Sequence, residues 1–390
     1  MFPTRHTLSG RLGVDAAALW LRARLEETFA VKRVSLERWL EPRGPRVTTP
    51  TSIANVVARI PGTHFPTHWI VVSGHYDSRV TDVMNASAVS PGANDDASGV
   101  AVVLEVARVL ALSKPAIGII CAALTGEEQG LLGAKYLAKQ LREQGQTVVA
   151  MATYDIVGNS VGADGKRRAD MIRVFSGGDT PGESQRQSSR RITVGLDADS
   201  PSRTLARSIA DVAHRYMRRF LVEIIYRQDR FGRGGDHSPF HTDGSPAVRF
   251  TEPSEDWSHQ HQDVRVEKTK VYGDLPEYVD YAYLTSVTRL AAAWVAEAAH
   301  GTLPLGTVDL AGDLASTTTL SWSASPAAIG YEVLIRKSTI ATWQHTVVVE
   351  GKGKAVVTLT LPFSKDDYVF GVRCVTESFG RSFPVIAGRS

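Results

Sequence analysis

Three apolar runs, each closed by side chains that bind metals, limit most sharply what this chain can fold into. Residues 69–73 (WIVVS), 116–124 (AIGIICAAL) and 147–154 (TVVAMATY) are nearly continuous apolar stretches, the kind found in parallel strands that helices cover on both faces. The first delivers His75 and Asp77 and then, through a loop rich in Gly, Asn and Asp, Asp95 and Asp96. The second runs into Glu127 and Glu128, and the third ends at Asp155. In open α/β sheets the binding crevice lies outside the carboxyl ends of the strands. These side chains are therefore expected to converge on one place.

The rest of the chain supports that frame. Residues 11–29 carry Val14, Ala18, Leu21, Leu25 and Phe29 at helical spacing, which predicts a surface helix over one sheet face. Residues 31–39 and 52–60 read as an antiparallel pair near the sheet edge, joined through the turn at 42–45. Helices are predicted over 97–112, after 125, over 204–220 and over 281–300, and a short strand over 247–251. Residues 160–201, rich in Gly, Ser, Asp and Arg, read as a long excursion, and the basic run 186–191 inside it as a solvated loop. After Gly301 helical spacing stops, and short strands are predicted over 318–322, 330–336, 345–349, 355–361 and 367–375. The expected fold class is α/β, with a mainly parallel mixed sheet sandwiched by helices over 1–302 and a small all-β sandwich over 303–390. The fragments around Trp322, Tyr331 and 366–382 resemble a fibronectin type III module, with Trp322 and Tyr331 as core aromatics.

Composition narrows the function. Hydrophobic residues at 43% and charged residues at 22% allow a large core. A formal net charge of +3, with Lys and Arg scattered, gives no basic stripe for nucleic acid. Cys121 and Cys374 are expected to be buried free thiols. No window approaches the roughly 18 apolar residues that would span a bilayer, and the visible N-terminus has no apolar leader core.

Each acid has an ordinary explanation when taken alone. Asp95 and Asp96 could cap a helix, Glu127 and Glu128 could complement a helix dipole, and Asp155 could cap a loop. Together those explanations fail, because several carboxylates buried side by side would repel and desolvate at several kcal/mol per ion. Bound dications remove the penalty, and imidazole with carboxylate is a donor set that suits zinc.

His75-Tyr-Asp77, the Gly92–Gly99 run, Glu127-Glu128-Gln-Gly130, Asp155, and late in the chain His259 with Asp263 four residues on resemble the M28 family of di-zinc aminopeptidases over about residues 5–300. The resemblance implies a phosphorylase/hydrolase-like fold and two Zn2+ per chain. One zinc would take His75 and Asp155, the other Glu128 and His259, with Asp95 bridging them; the Asp95–Asp96 peptide bond would be cis. It places Glu127 as the general base and Asp77 as the group that orients His75. His261 is a rival to His259 in the same run; the family spacing selects His259. Asp236 and His237 resemble a segment beside the substrate pocket, with His241 and Arg249 as neighbours. The other histidines (His6, His64, His68, His214, His300, His345) read as solvent or packing residues. The implied activity is removal of N-terminal residues from peptides that carry a free amine. Alternatives within the fold are a single-zinc glutaminyl cyclase and a dipeptidase or carboxypeptidase, and outside it a non-catalytic binding protein. The resemblance favours an exported protein, and it leaves the C-terminal module either to bind a polymer or to pack on the peptidase region.

Overall fold

The computed structural model describes residues 3–388 apart from 30–32, 312–313, 352 and 379. The start of the strand expected from Val31 lies outside the described residues. An eight-stranded mixed sheet forms the centre, built from β1 (Val34–Glu41), β2 (Thr51–Ile60), β3 (Phe65–His75), β4 (Ile117–Leu124), β5 (Thr147–Tyr154), β6 (Met171–Ser176), β7 (Leu221–Ile225) and β8 (Ala247–Thr251). Its order is β1-β2-β4-β3-β5-β8-β6-β7. The inner strands β4, β3, β5 and β8 run parallel to one another. β1 and β2 form the expected antiparallel edge pair, and β6 runs against β8.

The alternation of side chains decides which helices cover which face. Ile70, Val72, Cys121, Ala123, Ala150 and Ala152 share a core with α1 (Val14–Glu26), α2 (Ala97–Leu110), α5 (Pro201–Tyr216) and α7 (Tyr281–Ala299). Val71, Ile120, Ala122, Leu124 and Met151 point the other way, against α3 (Leu132–Glu143) and α6 (His237–Thr242). The central strands are thus apolar on both faces, which explains their continuous apolar sequences.

The excursion over 160–201 is more ordered than its composition suggests. It contains β6, and the basic run lies in α4 (Gln185–Thr193) rather than in a solvated loop. Ser184 and Gln187 form a reciprocal capping box at its start, and Arg191 turns inward to Glu183 at 3.0 Å.

Past α7 the chain forms two antiparallel sheets. One holds β11 (Asp309–Leu310), β12 (Thr318–Ser323) and β15 (Val356–Leu361), the other β13 (Gly330–Lys337), β14 (His345–Glu350), β16 (Tyr368–Val375) and β17 (Val385–Ile386); β9 (Arg265–Glu267) and β10 (Lys270–Tyr272) make a separate hairpin. Side chains of both C-terminal sheets meet in one core, where Trp322 and Tyr331 pack edge to face with centroids 5.3 Å apart. Cys121 and Cys374 are both buried free thiols.

Candidate metal centre

His75 is the last residue of β3, so the strand itself aims the imidazole out of the carboxyl edge of the sheet. Its Nδ1 lies 3.2 Å from the Asp77 carbonyl and 3.5 Å from Asp77 Oδ1, which leaves the Nε2 lone pair for the cluster beyond. Asp77 is wholly buried and also accepts from the backbone N–H groups of Glu127 and Glu128, each at 3.2 Å. One carboxylate thereby fixes the histidine at the end of β3 and the turn after β4. That turn needs Gly126 and Gly130, at φ +69° and +121°, conformations that favour glycine.

Asp96 caps α2 by accepting from Gly99 N at 2.9 Å, and its other oxygen accepts from His75 N at 2.9 Å. The Asp95–Asp96 peptide is cis, as the resemblance implies. Gly99 lies so close to β5 that a Cβ there would stand 1.9 Å from the Tyr154 carbonyl. The Asp95 loop is also held from positions distant in sequence. Asp274 accepts from Asn94 N at 2.8 Å and Asp95 N at 2.7 Å, and the buried Arg5 donates to the Tyr76 and Gly92 carbonyls at 2.6 and 2.9 Å. Neither residue carries a sequence motif that would have singled it out.

Asp95 stands between two groups of donors. Its Oδ1 lies 3.1 Å from His75 Nε2, which in turn is 3.9 Å from Asp155 Oδ1. Its Oδ2 lies 2.8 Å from His261 Nε2, which is 2.9 Å from Glu128 Oε1. His75, Asp95 and Asp155 thus form one triad able to hold a cation, and Asp95, Glu128 and His261 a second, each with donor atoms within 4.8 Å of one another. Glu128 Oε1 is buried, and the polar group it meets is the His261 imidazole of the same triad. Two imidazoles and carboxylate oxygens in this arrangement fit zinc.

The late histidine of the cluster is His261, and His259 is not part of it. The His259 ring stacks on Tyr278 with centroids 3.5 Å apart, and its Nδ1 is 3.5 Å from Asp256. His261 has φ +53°, a left-handed conformation rare for most side chains though enriched in His. That local reversal turns its imidazole, rather than its neighbour's, onto Asp95, and a count of residues from Asp263 cannot register it.

Asp236 and His237, expected beside the substrate, are buried. His237 Nε2 sits 2.7 Å from the Gln228 carbonyl, which makes it a tie between α6 and the loop before it. Asp236 precedes α6 without capping it, and neither carboxylate oxygen has a partner. Burial pushes its carboxyl up to about 7. His241 pairs with Asp179 at 2.8 Å, and Arg249 reaches Asp155 at 2.8 Å.

Without a cation the cluster attracts protons instead. Burial disfavours the His261 imidazolium, yet Glu128 and Asp95 outweigh it and raise the group to about 10. Burial likewise opposes a charged His75, and Asp77 and Asp95 hold it well above its usual value. Glu127 differs: burial, with Glu128 and Asp155 nearby, moves its carboxyl well above the usual range.

The model of peptidase family M28 matches residues 55–270. A protein of Leptosphaeria maculans called a probable zinc metalloprotease is 44% identical over 96% of this chain and 88% of its own length. A probable zinc metalloprotease of Pyrenophora tritici-repentis is 41% identical over 96% and 79%. Among solved structures, LapB of Legionella pneumophila superposes with a TM-score of 0.54 at 21% identity over 75% of this chain and 67% of its own. The LapA aminopeptidase of the same organism gives 0.51 at 22% identity over 75% and 67%. A glutaminyl cyclase of Porphyromonas gingivalis gives 0.51 at 18% identity over 73% and 90%. Those structures share the fold of the central sheet and its helices, and by the family match and the close relatives this chain belongs to peptidase family M28.

Proposed function

We propose that the protein is a zinc-dependent aminopeptidase that holds two zinc ions per chain and removes N-terminal residues from peptides with a free amine. The observation that carries this reading is Asp95, whose two oxygens face two separate histidine-containing triads. A bridging carboxylate of that kind is the donor arrangement of a two-ion site. His75 and Asp155 would hold one ion, Glu128 and His261 the other, and Asp95 both. When bound, the ions would supply Lewis-acid activation of a water and of the scissile carbonyl.

The remaining chemistry falls to the chain. Glu127 shares a pinned backbone with Glu128 but lies outside both triads, so its carboxylate is free to take a proton from the attacking water and return it to the leaving amine. Asp77 keeps His75 in one tautomer. Asp236, buried and acted on by the nearby charges of His75 and Asp155, is read as a group beside the first triad. The C-terminal β region is read as a fibronectin type III-like module that packs on the peptidase region. Among the described residues no helix is long and apolar enough to cross a membrane; export remains part of the proposal on the family resemblance alone.

The test is elemental analysis of the purified chain alongside hydrolysis of leucine p-nitroanilide and of its N-acetylated form. Two zinc ions per chain, chelator-sensitive cleavage of the free-amine substrate and none of the blocked one would support the reading. One zinc without hydrolysis would favour cyclase chemistry, and cleavage of the blocked substrate would exclude an aminopeptidase.

A further inference from the structure

We infer that Arg249 is a positioning residue that competes with the metal for Asp155 and so makes the His75/Asp155 position the weaker of the two. This rests on the two-ion reading above. Arg249 lies on β8 with a fully buried side chain. Its Nη2 is 2.8 Å from Asp155 Oδ1, and that is the Asp155 oxygen 3.9 Å from His75 Nε2. The oxygen offered toward the first triad is therefore already ion-paired with a guanidinium. Arg249 cannot easily swing away, because its Nη1 is held by Asp229 Oδ2 and by the Gly234 carbonyl, both at 3.3 Å. A Cβ on the neighbouring Gly235 would stand 3.0 Å from the same nitrogen, so the loop wraps the guanidinium closely.

The second triad has no such competitor. Apart from the triad's own His261, 2.9 Å from Glu128 Oε1, the cation paired with that carboxylate is Arg79, 3.9 Å from the other oxygen and partly open to solvent. Asp95 serves both positions, so it cancels from the comparison. What separates them is a guanidinium ion-paired with one ligand. It draws electron density from Asp155 and opposes a dication on the far side of the carboxylate. Groups that contact metal ligands change metal affinity by about 10–100-fold, and a cation in that place acts to lower it. The protein then fills its Glu128/His261 position first, and Arg249 sets how much zinc is needed to complete the site.

Titration of the metal-free protein with Zn2+ against a chromogenic chelator reads this directly, independently of turnover. Wild type should show two steps at least about ten-fold apart. His75→Ala should delete the weaker step and keep the tighter one. Arg249→Lys, which keeps the charge, should stay near wild type, while Arg249→Met should tighten the weaker step by about ten-fold or more. Two equal steps in wild type, loss of the tighter step in His75→Ala, or a folded Arg249→Met chain whose second zinc binds no more tightly would each overturn the inference. Should Arg249→Met fail to fold, the wild-type and His75→Ala titrations decide it alone. A wild type that binds no zinc, or a single zinc that His75→Ala retains, would instead overturn the two-ion reading beneath it.

Discussion

Glu127 and Glu128 are adjacent in the chain, yet the structure places them differently. Glu128 turns into a triad with His261 and Asp95, while Glu127 stays outside it on the same anchored turn. Glu127→Gln is therefore expected to lower kcat by about 10²–10⁴-fold with zinc content unchanged, measured by steady-state kinetics and elemental analysis on the same sample. Near-wild-type turnover would remove Glu127 from the mechanism. The two histidines of the late run make a second pair. His261→Ala is expected to lose one zinc and the activity, whereas His259→Ala, which loses a stack on Tyr278, should keep both zinc ions. The reverse outcome would restore the sequence-based choice. His75, Asp95, Glu128 and Asp155 were legible because each follows a strand whose apolar sequence announces where it ends. His261 was not, since a left-handed residue redirects a side chain without changing any spacing.

At the level of elements, the central strands and the helices over 97–110, 201–216 and 281–299 are written in the sequence by continuous apolar runs and 3.6-residue spacing. β6, β7 and α4 leave no such mark, because short elements at the far side of the sheet, among Arg, Gly and Ser, carry no long apolar run. The junction of β5 and α2 shows how elements fix the site. Gly99 lets the first turn of α2 approach the Tyr154 carbonyl, and the same turn is capped by Asp96. Gly99→Ala should lower stability by about 1–3 kcal/mol through overpacking and weaken zinc binding with it, as read by thermal melts with and without metal. Unchanged melting would mean that α2 can retreat from β5 without disturbing Asp95.

On the scale of the whole molecule, the C-terminal β region is docked through buried ion pairs. Asp199 is shared by Arg207 of α5 at 2.8 Å and Arg336 of β13 at 2.5 Å. Arg381 links Glu297 of α7 at 3.2 Å with Glu332 of β13 at 2.9 Å, and Arg373 joins Glu332 to Asp211. Leu196 packs against Val369 and Ile386. Removing residues 303–390 should therefore leave α5 and α7 with stranded charges and exposed apolar surface, and give a chain that aggregates or melts well below the full protein. Unaltered melting of the truncated chain would mean that the interface contributes little. The interface is also acid-sensitive. Burial opposes a charged Glu332, but Arg381 and Arg373 outweigh it and hold its carboxyl below the usual range. A depressed folded pKa gives stabilisation that is present above the ordinary Glu value near 4.3 and is lost as pH falls below it toward the folded value. Glu332→Gln should cost about 1–3 kcal/mol at pH 7 and flatten the acid side of a stability–pH curve.

What the sequence determined by itself was the layering and the strand ends that bring His75, Asp95, Glu128 and Asp155 into one cluster. Burial on both faces requires apolar runs, and carboxylates buried side by side require compensating positive charge, from a cation or from protons. What only the tertiary structure decided was which of two histidines faces Asp95, that Asp236 and His237 are buried, and that Arg5, Arg249 and Asp274 hold the loops of the cluster from distant parts of the chain. Those outcomes depend on close approach between segments up to about 180 residues apart in sequence and on the hand of single backbone turns, neither of which leaves a pattern along the chain.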